Sequence, residues 1–262
     1  MTPTATRPHA EVLMTAAPRA NPARFLYPAF AGLLFVLMLL GFRQFYLHGR
    51  AVSGQELFPA VRNLLILHGV VMTTWMVLFV VQPLLIVGRQ RQLHMKLGII
   101  GALLAAGIVV LGVWTAIATT GTVQPDLVRY GLHRRQFMAV PLSDMVAFAG
   151  FVAVGVRNRR RPEIHRPMML LATLALMAAV TNRIPELRNF AASYGLGHVF
   201  GPYLVPLAIG VLFFATKTAL TRSVDRWLAG GLAARAVISA VTMQIAPTAT
   251  WERIASFLTG GS

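Results

Sequence analysis

Histidine is the residue type whose spacing in this sequence first suggests chemistry. His68, His94, His133 and His165 accompany successive apolar segments and alternate between the two ends of those segments. Neutral imidazole is a good metal ligand and a common axial ligand of haem iron. If the segments are antiparallel helices, one pair meets at each end of the bundle, which allows two bis-histidine haem sites. The alternative is that histidines at helix ends simply contact lipid headgroups.

Sulfur ligands are limited to methionine. The chain has no cysteine, which excludes thiolate metal sites, disulfides and c-type haem attachment. His68 and Met72 share an H-x-x-x-M spacing with His165 and Met169, and this spacing puts imidazole and thioether on one helix face. Such a pair suits copper, but 12 methionines in an apolar chain also suit ordinary packing.

Asp144 is a carboxylate inside an apolar segment, where an unpaired charge is costly. At 1.5 Å per residue it lies about 10 Å inside the boundary of its segment. Arg183 lies near the same end of the next segment, so the sequence predicts a buried Asp144–Arg183 ion pair. Two roles remain open for this pair, a proton or substrate relay and a structural link between two helices.

The elements that must position these side chains are long apolar runs. Apolar residues make up 56% of the 262, charged residues 12%, and the mean hydropathy is +0.65, so hydrocarbon is the main solvent of this chain. Because a backbone in hydrocarbon must satisfy its own hydrogen bonds, runs of this length form helices. The predicted fold class is all-α, a polytopic transmembrane helix bundle with six spans at 26–42, 64–88, 97–120, 137–156, 168–181 and 197–216.

The stretch 227–246 leaves the number of spans open. Arg235 lies at its centre and would cost at least about 2.5 kcal/mol in the middle of a bilayer. An interfacial helix whose guanidinium reaches water avoids this cost, so six spans are predicted and a seventh is the alternative. The predicted organisation is a disordered cytoplasmic tail at 1–24, a six-helix transmembrane domain at 25–217 and an interfacial, amphipathic segment at 218–262.

Basic residues predominate, with 24 Lys and Arg against 8 Asp and Glu and a net charge of +16. They are scattered over short connections, which disfavours nucleic-acid binding. With the N-terminus in the cytoplasm, about twice as many basic residues lie inside as outside, and the connection RNRRRPEIHR at 157–166 contributes most. Six spans then place both termini in the cytoplasm. The predicted partners are the lipid bilayer and its anionic headgroups.

Two stretches distantly resemble the six-helix, ascorbate-reducible cytochrome b family of transmembrane ferrireductases. They are LHGVVMTTWMVLFVVQPLLI at 67–86 and LHMKLGIIGALLAAGIVVLG at 93–112. The resemblance implies b-type haem, and the histidines that it implies as ligands are His68, His94, His133 and His165. The signatures HGVVMTTW, LHMKLG and LSDMVAFAGFVAVGVRNRRRPEIHRPMM more closely resemble a bacterial family of polytopic membrane proteins, which implies the bacterial inner membrane and no particular activity.

No motif of soluble enzymes is present, since Walker, dinucleotide-binding, H-E-x-x-H and G-x-S-x-G patterns are absent. The first hypothesis is therefore a non-catalytic helix-bundle protein of the inner membrane. One alternative is an electron carrier that binds b-type haem, which as an enzyme would be a haem-dependent transmembrane oxidoreductase. The other is a small proton-coupled transporter that uses Asp144.

Overall fold

In a computed structural model of the chain, residues 22–51, 54, 56–122, 128–193 and 195–260 are described, and their regular structure is helical. Most of the predicted tail at 1–24 lies outside these residues. Short 3-10 turns occur at Pro22–Phe25, Pro59–Val61 and Gly201–Tyr203. The α-helices are α1 (Leu26–Gly41), α2 (Arg43–His48), α3 (Arg62–Val87), α4 (Arg91–Thr122), α5 (Arg134–Phe137), α6 (Ala139–Arg157), α7 (Pro162–Thr181), α8 (Pro185–Ser193), α9 (Gly197–Phe200), α10 (Leu204–Thr221), α11 (Arg226–Ile245) and α12 (Ala249–Leu258).

Helical segments long and apolar enough to cross a membrane number seven in the described part of the chain. The predicted all-α, polytopic bundle is confirmed, and the protein is an integral, multi-pass membrane protein. The segments are Ala23–Gly41, Pro59–Val87, Arg91–Thr122, Arg134–Arg157, Pro162–Thr181, Gly197–Thr221 and Arg226–Ile245.

Helix α7 occupies the centre of the bundle, with α1, α6, α10 and α11 packed against it. Between Pro167 and Thr181 nearly every side chain is buried, and most are Leu, Ala or Met. The polar Thr173 is satisfied there, because its hydroxyl accepts a hydrogen bond from the Trp75 indole at 3.2 Å and donates one to the Met169 carbonyl at 3.2 Å. This packing makes α7 the central helix against which α6 and α11 are positioned.

Helix α4 lies at the periphery of the bundle, and its exposed apolar side chains indicate that lipid surrounds the protein. Ile99, Leu103, Val110 and Trp114 are more than half exposed and recur at helical spacing along it. An apolar stripe of this length would be an interaction surface in a water-soluble protein, whereas in a bilayer it contacts acyl chains.

Helix α11 runs from one end of the bundle to the other. Just before it, Lys217 forms an ion pair with Asp225 and donates a hydrogen bond to the Tyr27 hydroxyl at 3.1 Å. Just after it, the Trp251 indole donates to the Arg135 carbonyl at 3.1 Å. Tyr27 lies near the start of the first span and Arg135 near the start of the fourth span. In an antiparallel bundle these two starts are at opposite ends, so α11 reaches both ends.

The expectation that Arg235 reaches water from an interfacial helix is wrong. Its side chain is buried in the bundle and forms an ion pair with Asp144, which lowers the cost that argued against a seventh span. We therefore expect α11 to cross the membrane and the two termini to lie on opposite sides. Six spans would instead keep both termini on one side.

Single-cysteine labelling tests this expectation, because the chain contains no cysteine of its own. Val224→Cys and Phe257→Cys lie on either side of α11 and replace exposed side chains. In intact cells a membrane-impermeant maleimide should label one variant and reach the other only after the cells are opened. Equal labelling of the two variants would show that α11 lies in the interface.

Candidate functional site

The strongest candidate site is formed by His94 and His165, which are the fourth residues of α4 and α7. Both side chains are half-buried at one end of the bundle. Their ring centroids are 6.3 Å apart and the ring planes are perpendicular, at 88°. The structure thus brings together one of the two histidine pairs that are expected from the sequence.

Hydrogen bonds hold both rings in one tautomer. His94 Nδ1 lies 3.3 Å from the carbonyl oxygen of Gln82, and His165 Nδ1 lies 2.9 Å from that of Gly155. A carbonyl oxygen only accepts hydrogen bonds, so each Nδ1 must carry the proton and each neutral ring keeps its lone pair on Nε2. Metal-bound histidines are typically oriented by this kind of bond to backbone carbonyls.

The end of α6 supplies one of these carbonyls for a local reason. Gly155 belongs to the last turn of α6, whose carbonyls have no partner further along the helix. The connection from Asn158 to Arg161 is short, so α7 begins beside that turn and His165 reaches the free carbonyl. A β-carbon at Gly155 would lie 2.9 Å from Met169 Sδ, which shows how closely the two helices approach.

Two imidazoles suit haem iron better than a bare ion. No group of three or more His, Asp or Glu that could hold a metal occurs among the described residues, whereas a zinc site needs three or four protein ligands. Haem iron takes four nitrogens from its own macrocycle and needs only axial ligands from the protein. His94 and His165, whose ring centroids lie 6.3 Å apart, are the residues that would hold such a group, and it would supply one-electron chemistry.

The electrostatics of this end favour an anionic group. Arg91 and Lys96 flank His94 in sequence, Arg166 follows His165, and the connection 157–161 carries four arginines. These side chains are largely exposed, so they are free to meet carboxylates or phosphates at the membrane surface.

The other expected pair, His68 and His133, is not assembled. His133 is exposed, and its backbone N–H donates to the Gln136 side chain at 2.9 Å, so it begins the short helix α5. His68 is half-buried on α3, and its Nδ1 is a buried atom without a hydrogen-bond partner. Within the described residues no contact joins His68 to His133, so only the His94–His165 pair of the two-site arrangement is present.

The second polar site is the buried ion pair between Asp144 on α6 and Arg235 on α11. The guanidinium Nη2 donates to Asp144 Oδ1, and both residues are less than 5% exposed. Tyr203 encloses the pair, with its ring centroid 4.6 Å from the guanidinium carbon. The Tyr203 hydroxyl in turn lies 2.7 Å from that of Ser143. The site therefore contains residues of α6, of α11 and of the 3-10 turn Gly201–Tyr203.

The predicted Asp144–Arg183 pair is wrong. Arg183 follows the end of α7, its guanidinium donates back to the Ala179 carbonyl, and it stacks on the Phe42 ring at 4.5 Å. Burial, with a contribution from the positive charge of Arg129, lowers the pKa of Arg183 to about 10, so it remains charged at neutral pH. The sequence prediction places the stretch 227–246 at the membrane interface, and for that reason it does not offer Arg235 as the partner of Asp144.

A signal for the correct pair was present in the sequence. Asp144 and Arg235 are each a lone charge in the middle of an apolar helix, and two such charges of opposite sign are each other's natural partners in hydrocarbon. Pairing them in sequence would have predicted both the ion pair and the seventh span.

Comparison with known proteins identifies no relative. No family model, no curated protein and no solved structure matches the chain. The function must therefore be inferred from the geometry of the two polar sites.

Proposed function

We propose that this integral membrane protein binds one b-type haem between His94 and His165 and acts as an electron carrier. The observation that carries the proposal is the pair of neighbouring, perpendicular imidazoles, with ring centroids 6.3 Å apart and each Nδ1 held by a backbone carbonyl. The proposal agrees with the distant resemblance to the cytochrome b ferrireductases, but it uses one pair of histidines instead of two. A haem bound there would supply one-electron transfer.

The chain's own residues would hold and orient the group. The Gln82 and Gly155 carbonyls keep the Nε2 lone pairs of His94 and His165 available for the iron. The arginines of the connection 157–161 and Arg166 offer charge-assisted hydrogen bonds to the carboxylates of haem. The apolar bundle excludes water from one side of the site, which influences the reduction potential.

The Asp144–Arg235 pair supports a structural role more than proton-coupled transport. Opposite charges in direct contact leave the buried site nearly neutral, and the pair links α6 to α11. We therefore place the chemistry at the histidine pair and the mechanical link at the ion pair.

The test is the absorption spectrum of protein purified in detergent from cells supplied with a haem precursor. Unaltered protein should bind about one haem per chain and show an α band on reduction with dithionite. His94→Ala and His165→Ala should each lose that band. His165→Asn is a gentler variant, because its amide can still donate to the Gly155 carbonyl but cannot replace imidazole as a ligand.

The matched controls are His68→Ala and His133→Ala, which should retain the full haem content. A colourless unaltered protein, or a spectrum unchanged in both His94→Ala and His165→Ala, would contradict the proposal. Loss of half of the haem in His68→Ala and in His133→Ala would instead support the two-site arrangement predicted from the sequence alone.

A further inference from the structure

A cleft of about 910 Å³ opens toward the lipid between α6 and α11. Its walls are almost entirely apolar, and Phe151 and Met168 line it as well. Along its rims lie Val146, Gly150 and Val154 from α6, and Arg226, Gly230 and Ala234 from α11. All six rim residues are exposed, so the cleft is accessible from the bilayer.

The cleft exists because glycines, which have no side chain, occupy both of its walls. A β-carbon built at Gly150 or at Gly230 would meet no atom within 4 Å, so the two helices face open space there. The neighbouring Gly231 behaves differently, because its β-carbon would lie 2.1 Å from Leu171 Cδ1. One face of α11 therefore packs tightly on α7 while the adjacent face leaves a channel.

The length of the channel matches one leaflet of a bilayer. It extends along α11 from Arg226 to Ile238, which at 1.5 Å per residue is about 18 Å. Half of a hydrocarbon core of about 30 Å is about 15 Å. A single acyl chain therefore fits along the channel from the membrane surface toward the midplane.

Charge defines the mouth of the channel. Arg226 lies there beside Trp227, with the guanidinium carbon 6.0 Å from the indole ring centroid. Arg157 ends α6 one turn beyond Val154, so the α6 wall also ends in a positive charge at this end. Tryptophan and arginine are typical of the level of the lipid headgroups.

We propose that this cleft is a binding site for one anionic phospholipid, with an acyl chain in the channel and the phosphate at Arg226. A second copy of the protein fits less well, because a helix is about 10 Å across with its side chains and would cover the concave channel without filling it. The site does not include the histidine pair, so a protein that binds no haem would still be expected to bind the lipid.

Native mass spectrometry of the full chain tests the site with phosphatidylglycerol and phosphatidylcholine of identical acyl chains as probes. The unaltered protein should retain one phosphatidylglycerol more tightly than phosphatidylcholine. Filling the channel with Gly150→Leu and Gly230→Leu together should weaken retention of both lipids by about tenfold, since roughly two methylene contacts are lost. Arg226→Gln should remove the preference for phosphatidylglycerol and leave phosphatidylcholine unaffected.

Gly98→Leu is the matched control, because Gly98 is exposed on α4 and also has no atom within 4 Å of a built β-carbon. It should leave lipid retention unchanged. Unchanged retention in the filled-channel variant, equal retention of the two lipids by the unaltered protein, or a dimer that the filled-channel variant disrupts would each overturn the proposal. A melting temperature measured on every variant separates loss of lipid from loss of fold.

Discussion

An Asp144→Asn variant is expected to unfold about 10 °C below the unaltered protein in the same detergent. Asparagine keeps the shape of the side chain but removes its charge, so the Arg235 guanidinium is left buried and uncompensated. Removal of one partner of a buried ion pair typically costs about 3 to 5 kcal/mol. Melting followed by size-exclusion chromatography of a fluorescent fusion measures the shift.

Removal of both charges should restore most of the loss. In the double variant Asp144→Leu with Arg235→Met, apolar side chains of similar length replace the pair and no charge remains buried. Such replacements are often neutral or stabilising, so the double variant should melt within about 3 °C of the unaltered protein. Together with the single variants Asp144→Leu and Arg235→Met, the double variant closes a thermodynamic cycle that isolates the coupling between the two residues.

Arg183→Gln is the control for this cycle, because sequence reasoning chose Arg183 as the partner of Asp144. Its effect should add to that of Asp144→Asn without coupling, since its guanidinium contacts the Ala179 carbonyl and the Phe42 ring instead. Coupling of Asp144 to Arg183, or additivity between Asp144 and Arg235, would contradict the observed pair.

Two adjacent glycines of α11 should respond in opposite directions to the same substitution. Gly231→Ala is expected to lower the melting temperature by about 5 °C, because its β-carbon would lie 2.1 Å from Leu171 Cδ1 and 3.3 Å from Met168 Cε. Leu171 is fully buried and has little room to move. Gly230→Ala meets no atom within 4 Å and should raise the melting temperature by about 2 °C, because alanine favours the helix.

The comparison of these two variants tests how α11 docks. Both change a glycine to alanine in the same turn of the same helix, so helix propensity is matched and only packing differs. Similar shifts in the two variants would mean that Gly231 does not face α7. Gly210→Ala offers a second measurement, at the contact between α10 and α11, since its β-carbon would lie 2.6 Å from Leu232 Cδ2.

The class of the protein could be read from the sequence because solvent preference is a property of each segment by itself. Runs of about 20 apolar residues must be helical in hydrocarbon whatever their neighbours are. The His94–His165 pair followed from the same logic. Antiparallel spans return the starts of the third and fifth spans to one end, and His94 and His165 lie at those starts.

The packing of the helices decided which polar groups are in contact. The same argument places His68 and His133 at one end, yet His68 is half-buried on α3 and His133 is exposed, and no contact joins them in the described residues. Asp144 and Arg235 are 91 residues apart, and only the insertion of α11 against α6 and α7 joins them. Segment hydropathy thus determined the class of the protein and which ends of the predicted spans meet. The seventh span and the choice of neighbouring helices depend on side-chain fit between distant segments.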